Sequence, residues 1–184
     1  MANLWNFIQF QLGWFALVLS AAGGYPTLGI LVMLVLAAIH LGWFATDSEA
    51  LTLLVVTTLG WLWESLFHVS GLIAFSGYAE KAFTAPVWMA MLWLNFATAL
   101  NHSLRWLHNR YLLCGICGAI GGPLAFWAGS KFGAAVLTEE FLSLFALSIA
   151  WGLLLPLVVL IASHVRAGNK PSAVFRGVLY VSRS

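Results

Sequence analysis

The sequence predicts an all-α polytopic membrane protein, a bundle of about six transmembrane helices with both termini on the cytoplasmic side. Three observations carry the fold class. Hydrophobic residues make up 62% of the 184 and charged residues only 8%, against about 25% charged in an ordinary soluble domain, so the chain cannot cover its surface with polar groups. Apolar runs of the length that crosses a hydrocarbon core recur along nearly the whole chain. The breaks between them are short clusters of polar or helix-breaking residues, which leave no room for a soluble domain.

The spans are expected at roughly residues 4–22, 26–45, 51–71, 85–107, 111–131 and 140–163. Gly23-Gly24-Tyr25-Pro26 turns the first into the second, residues 45–50 separate the second from the third, and residues 76–81 follow the third. The fourth break, residues 105–110, is marked by charge, and the fifth, residues 131–140, by polarity. Connections this short make sequence neighbours antiparallel. The division expected is a helix bundle over 1–164 and a basic tail over 165–184.

Orientation follows from Lys and Arg in short loops. Arg105 and Arg110 fall on the same side as Arg166, Lys170, Arg176 and Arg183, whereas Lys81 and Lys131 fall on the other. The more basic side is the cytoplasmic one, which places both termini inside. The first span lacks a basic n-region and reads as a retained helix. Its Asn3, Asn6, Gln9 and Gln11 are expected to face neighbouring helices or the interface. The tail mixes four basic residues with Phe175, Val178, Leu179 and Tyr180, a composition suited to lying on an anionic leaflet, although Gly168 and Pro171 interrupt any helix and a disordered tail is the alternative.

Chemistry is carried by the few polar residues inside spans. Glu64 lies deep in the third, where a charged group costs roughly 2.5 to 3.5 kcal/mol and therefore faces a protein interior or a cavity. At helical spacing Thr57, Glu64 and His68 share one face of that span, and Asn95, Thr98, His102 and Arg105 share one face of the fourth. At about 1.5 Å of rise per residue, Glu64 and Asn95 are nearly level, while His40 and His102 both fall within about 10 Å of the cytoplasmic boundary.

Two clusters are thus expected. The outer one combines Glu64, His68 and Asn95 with Lys131 nearby, Glu64 and His68 forming an acid/base pair. Its bland alternative is an interhelical hydrogen bond, with Asn95, Thr57 and Ser65 satisfying a neutral Glu64. The inner cluster combines His40, His102, Asn101 and Arg105, with Asp47 two turns below His40. Across the two clusters Asn95, His102 and Arg105 are the candidate substrate-binding residues, Arg105 as contact for an anionic headgroup. Two imidazoles at one depth raise the question of a metal or haem, but no His-x-x-x-His or Glu-x-x-His spacing is present, so no metal and no cofactor are expected. Cys114 and Cys117 lie in a helix rich in Gly115, Gly118, Gly121 and Gly122, where small residues serve close packing rather than redox chemistry. Trp61 and Trp63 flank Glu64 and are candidates for an aromatic wall around it.

Taken together, Trp61-Leu-Trp-Glu-Ser-Leu66, Leu100-Asn-His-Ser-Leu104 and the segment Gly122 to Gly133 resemble an uncharacterised family of small Gram-negative inner-membrane proteins, a domain of unknown function. The resemblance covers essentially the whole chain. It implies an all-helical protein of the bacterial inner (cytoplasmic) membrane and a connection with membrane-lipid modification, and it supplies no catalytic residues.

Three function classes fit: a lipid-modifying enzyme or accessory protein of membrane-lipid metabolism, a proton-coupled small-molecule transporter, and a non-catalytic structural or assembly subunit. The first is favoured narrowly, with Glu64 as acid or base, His68 as its partner and membrane lipids as the binding partner. Partner membrane proteins or a homo-oligomer stay open. Nucleotide hydrolysis, serine hydrolysis and zincin chemistry lack their motifs, and sparse basic residues argue against nucleic acid.

Overall fold

A computed structural model describes residues 2–45 and 49–168. Six α-helices follow in order: α1 (Ala2–Ala22), α2 (Pro26–Trp43), α3 (Glu49–Val69), α4 (Val87–Leu100), α5 (Tyr111–Phe132) and α6 (Glu140–Gly168). Two short strands, β1 (Ile73–Phe75) and β2 (Ala135–Leu137), lie between α3 and α4 and between α5 and α6, and a single 3-10 turn spans Arg105–Leu107. Among the described residues, α1, α2, α3, α5 and α6 are long and apolar enough to cross a membrane. The protein is an all-helical, multi-pass membrane protein.

Local chemistry explains the boundaries. Gly24, at φ 80°, takes the left-handed conformation that closes the α1–α2 turn, and Pro26 opens α2 in the first-turn position where its missing N–H costs nothing. Gly133, at φ 91°, ends α5, its N–H donating to the carbonyls of Gly129 and Ser130. Pro123 and Pro156 sit inside α5 and α6, where packing against neighbouring helices tolerates them.

The fourth helix departs from expectation. A span over 85–107 was predicted, but α4 stops at Leu100, giving 14 residues, about 21 Å against a core of about 30 Å. Asn101, His102 and Ser103 follow at once, and short polar side chains compete for the backbone bonds a helix needs. The other correction is the strand pair. The connections after α3 and α5 carry β1 and β2, paired antiparallel with Ile73 opposite Leu137 and Phe75 opposite Ala135. Their pairing satisfies backbone groups that would otherwise be buried without partners over the helix ends, since Ile73 and Phe75 point into the core.

Antiparallel order places the start of α1, the end of α2, the start of α3, the end of α4, the start of α5 and the end of α6 at one end of the bundle, the N-terminal end. The strands cap the other, the strand end. α5 pairs most extensively with α6 and touches α1 only sparingly, so a groove runs between α1 and α5. Close approach elsewhere uses small residues, as membrane helices do: a Cβ on Gly29 would overlap Ser20 Oγ and lie 2.8 Å from the Ala16 carbonyl oxygen on α1. Leu12, Phe15, Leu31, Leu54, Ile120 and Leu153 are among many large apolar side chains left outward, as befits a surface whose solvent is lipid.

Candidate functional site: a buried carboxyl at the end of an apolar groove

Glu64 is fully buried and lines a cavity of about 80 Å³. Trp14, Trp88, Trp93, Phe96, Phe126 and Trp151 form most of its wall. Neither carboxyl oxygen has a hydrogen-bond partner of full geometry among the described residues; the Trp93 indole is the polar group close by. A fully buried polar group is normally paired; among the described residues Glu64 is the one buried acidic side chain with both oxygens unpaired.

The wall is set by glycines. Gly60, one turn before Glu64 on α3, leaves the space that Trp93 of α4 fills, and a Cβ there would overlap the Trp93 ring. Trp93 stacks on Trp151 of α6 at a centroid separation of 4.9 Å and 13° between planes. Trp151 in turn lies over Gly122 of α5, where a Cβ would overlap its indole. Two indoles between two glycines thus tie α3, α4, α6 and α5 together beside the carboxyl. Trp61 and Trp63, candidates for that wall with bundle packing as the alternative, do not line it. The Trp61 indole donates to the Ala85 carbonyl at 2.8 Å, and Trp63, adjacent to Glu64 in sequence, points about 100° away around the helix.

A second hollow of about 480 Å³ shares Trp14, Phe96, Ala125 and Trp151 with the first and extends along the α1–α5 groove to Leu104, Trp106 and Leu107 at the N-terminal end. Arg105 is exposed between Leu104 and Trp106. Burial, with Arg166 and Arg105 nearby, holds the pKa of His108 below its usual value.

The expected partners of Glu64 lie elsewhere. No hydrogen bond joins His68 to it: the His68 ring nitrogens face the carbonyls of Ile73 at 3.2 Å and Ala79 at 3.3 Å, fastening the connection that holds β1. Asn95 donates to the Phe10 carbonyl at 2.8 Å, bridging α4 to α1. Lys131 is exposed and pairs with Glu140 at 3.4 Å. Ser65 is engaged with the Trp61 carbonyl and the Ala85 N–H. The outer cluster therefore reduces to Glu64 and its aromatic cavity. On α1, Asn6 and Gln9 face neighbours as expected, reaching the carbonyls of Thr98 and Leu36.

At the N-terminal end His40 and His102 meet, their ring centroids 4.9 Å apart. The group that joins them was missed in the sequence. Glu49, assigned there to a connection, opens α3 and is fully buried. Its Oε1 lies 3.2 Å from His40 Nε2 and 2.8 Å from His102 Nε2. The available signal was depth: an acidic residue beginning the third helix is level with a histidine ending the second. The predicted stripe from Asn95 to Arg105 is broken by the end of α4, so His102 turns to Glu49 while Arg105 turns outward. Asn101 accepts a bond from Arg166 through its carbonyl at 3.4 Å. Asp47 and the tail beyond residue 168 lie outside the described residues. Cys114 and Cys117 are free thiols; the Cys114 Sγ–H donates to the Leu107 carbonyl at 3.3 Å.

No curated protein and no solved structure matches the chain. A family model described as "Protein of unknown function (DUF2878)" matches residues 3–157, from the start of α1 into the second half of α6. The chain belongs to that family.

Proposed function

We propose that this is a bacterial inner-membrane protein, with both termini cytoplasmic, that takes the apolar chain of a membrane lipid into the α1–α5 groove and serves membrane-lipid modification, as enzyme or accessory. The observation that carries the reading is Glu64: a buried carboxyl without a hydrogen-bond partner, at the inner end of an aromatic-lined hollow that continues along the side of the bundle. Ligand sites are typically apolar hollows with few placed polar groups, and a carboxyl shielded from water is suited to proton transfer as acid or base. Arg105 at the far end would hold the anionic headgroup. Glu64 lies 15 residues along α3 from Glu49, about 22 Å, so a lipid held at Arg105 meets Glu64 through its chain. His68 and Asn95 support the site by fixing the strand connection and the α1–α4 contact.

Gly121 offers the test. It lines the groove, and a Cβ there meets nothing within 4 Å, so Gly121→Leu fills the groove without displacing protein. Lipid retained by the detergent-purified protein is measured by mass spectrometry, and total lipids of a deletion strain are compared with those of strains complemented by wild type, Glu64→Gln or Gly121→Leu. The expected result is bound lipid lost in Gly121→Leu, and a lipid difference restored by wild type but by neither variant. Equal lipid retention in Gly121→Leu, or full complementation by Glu64→Gln at normal abundance, overturns the reading. A proton-coupled transporter is then the next candidate.

A further inference from the structure

We propose that His40, Glu49 and His102 form a binding site for a divalent first-row transition-metal ion, of the zinc or ferrous class. The three come from the last turn of α2, the first turn of α3 and the turn after α4. One potential ligand atom from each lies within 4.8 Å of the others. Such convergence from three separate elements is what sequence spacing cannot display and what metal geometry needs.

The separations fit. Metal bonds of about 2.0–2.1 Å in a tetrahedral sphere put neighbouring ligand atoms about 3.3 Å apart. His40 Nε2 lies 3.2 Å from Glu49 Oε1, and His102 Nε2 lies 2.8 Å and 3.1 Å from the two carboxylate oxygens. The third side of the triangle, between the two imidazoles, is no longer than 4.8 Å. The imidazole planes stand at 85° to each other.

Burial and charge agree with the geometry. His40 and Glu49 side chains are fully buried and His102 is 15% exposed, which closes the site on two sides and leaves an entry on the third. Among the described residues His40 meets a hydrogen-bond partner only through Nε2, the atom that faces Glu49. His40 and His102 sit at the C-terminal ends of α2 and α4, whose dipoles favour a cation. Two imidazoles and one carboxylate with open positions form the donor set of catalytic zinc and of non-haem ferrous sites. The site is about 22 Å from Glu64 along α3 and none of its three ligands lines the groove.

The test uses the full chain, purified in detergent without a polyhistidine tag, stripped with chelator and titrated with Co²⁺. Visible d–d absorption reports coordination, and elemental analysis after desalting gives stoichiometry. One Co²⁺ per chain is expected, with bands of a four- or five-coordinate ion. Glu49→Gln and His102→Asn should each weaken binding by about 100-fold or more, and His68→Asn, at the other end of α3, should leave it unchanged. His102 lies in a partly exposed turn, so its variant decides the matter should Glu49→Gln fail to fold. No retained Co²⁺ in wild type, or equal affinity in His102→Asn, overturns the proposal and leaves a carboxylate hydrogen-bonded by two histidines.

Discussion

Replacing Glu64 by methionine should raise stability and abolish function together. The carboxyl is fully buried with neither oxygen hydrogen-bonded, and a buried polar group left unsatisfied costs about 1–3 kcal/mol. Methionine is of similar length, carries no strong polar group, and would set its sulfur among Trp14, Trp93 and Trp151, where sulfur–aromatic contact contributes about 0.3–1.5 kcal/mol. The sum is a stabilisation of roughly 1–4 kcal/mol. Glu64→Gln keeps two polar atoms in the same hollow and should unfold close to wild type. The assay is reversible unfolding in mixed micelles followed by tryptophan fluorescence, with lipid complementation in parallel. Glu64→Met destabilised by more than about 1 kcal/mol would refute the reasoning, because the carboxyl would then be holding the bundle together through a bond of ordinary worth.

Gly60→Ala should cost about 1–3 kcal/mol by overpacking against Trp93 and reduce the near-UV circular dichroism of the Trp93–Trp151 stack, whereas Gly121→Ala, facing open space, should leave both unchanged. His68→Ala should lose roughly 1–3 kcal/mol by freeing the carbonyls of Ile73 and Ala79, seen as a lower midpoint of unfolding. Any function that survives at normal abundance would mark His68 as a fastening residue, and its loss in a fully stable His68→Ala would restore the acid/base role. With both native cysteines replaced, a cysteine at Ser76 should be labelled only from outside the cell and one at Arg110 only from inside; the reverse pattern would invert the orientation.

Which parts were legible depends on the range of the interaction. Helices longer than the bilayer core announce themselves through runs of apolar residues, and Gly23-Gly24-Tyr25-Pro26 announces its turn, because both signals are local. Glu64 was legible for the same reason: a carboxyl in an apolar span is costly wherever the span packs. The shared depth of His40 and His102 followed from counting residues along helices. By contrast, the pairing of β1 with β2 joins segments some sixty residues apart, each only three residues long, too short for any pattern to mark them.

What the sequence by itself determined is the solvent of this protein, its helical class and the rarity of its buried charge, since these follow from how each residue partitions between water and hydrocarbon. Only the tertiary structure decided what each polar group meets. His68 turned from Glu64 to the carbonyls of the strand connection, Asn95 turned to Phe10, and Glu49, unremarkable in a connection, became the link between two histidines. Glu64 kept both carboxyl oxygens unpaired among the described residues, towards a hollow walled by Trp93 and Trp151. Helical period gives the direction of a side chain around its own axis, whereas the neighbour in that direction is set by how the helices rotate and approach, and here glycines such as Gly60 and Gly122 govern that approach by admitting indoles against the backbone.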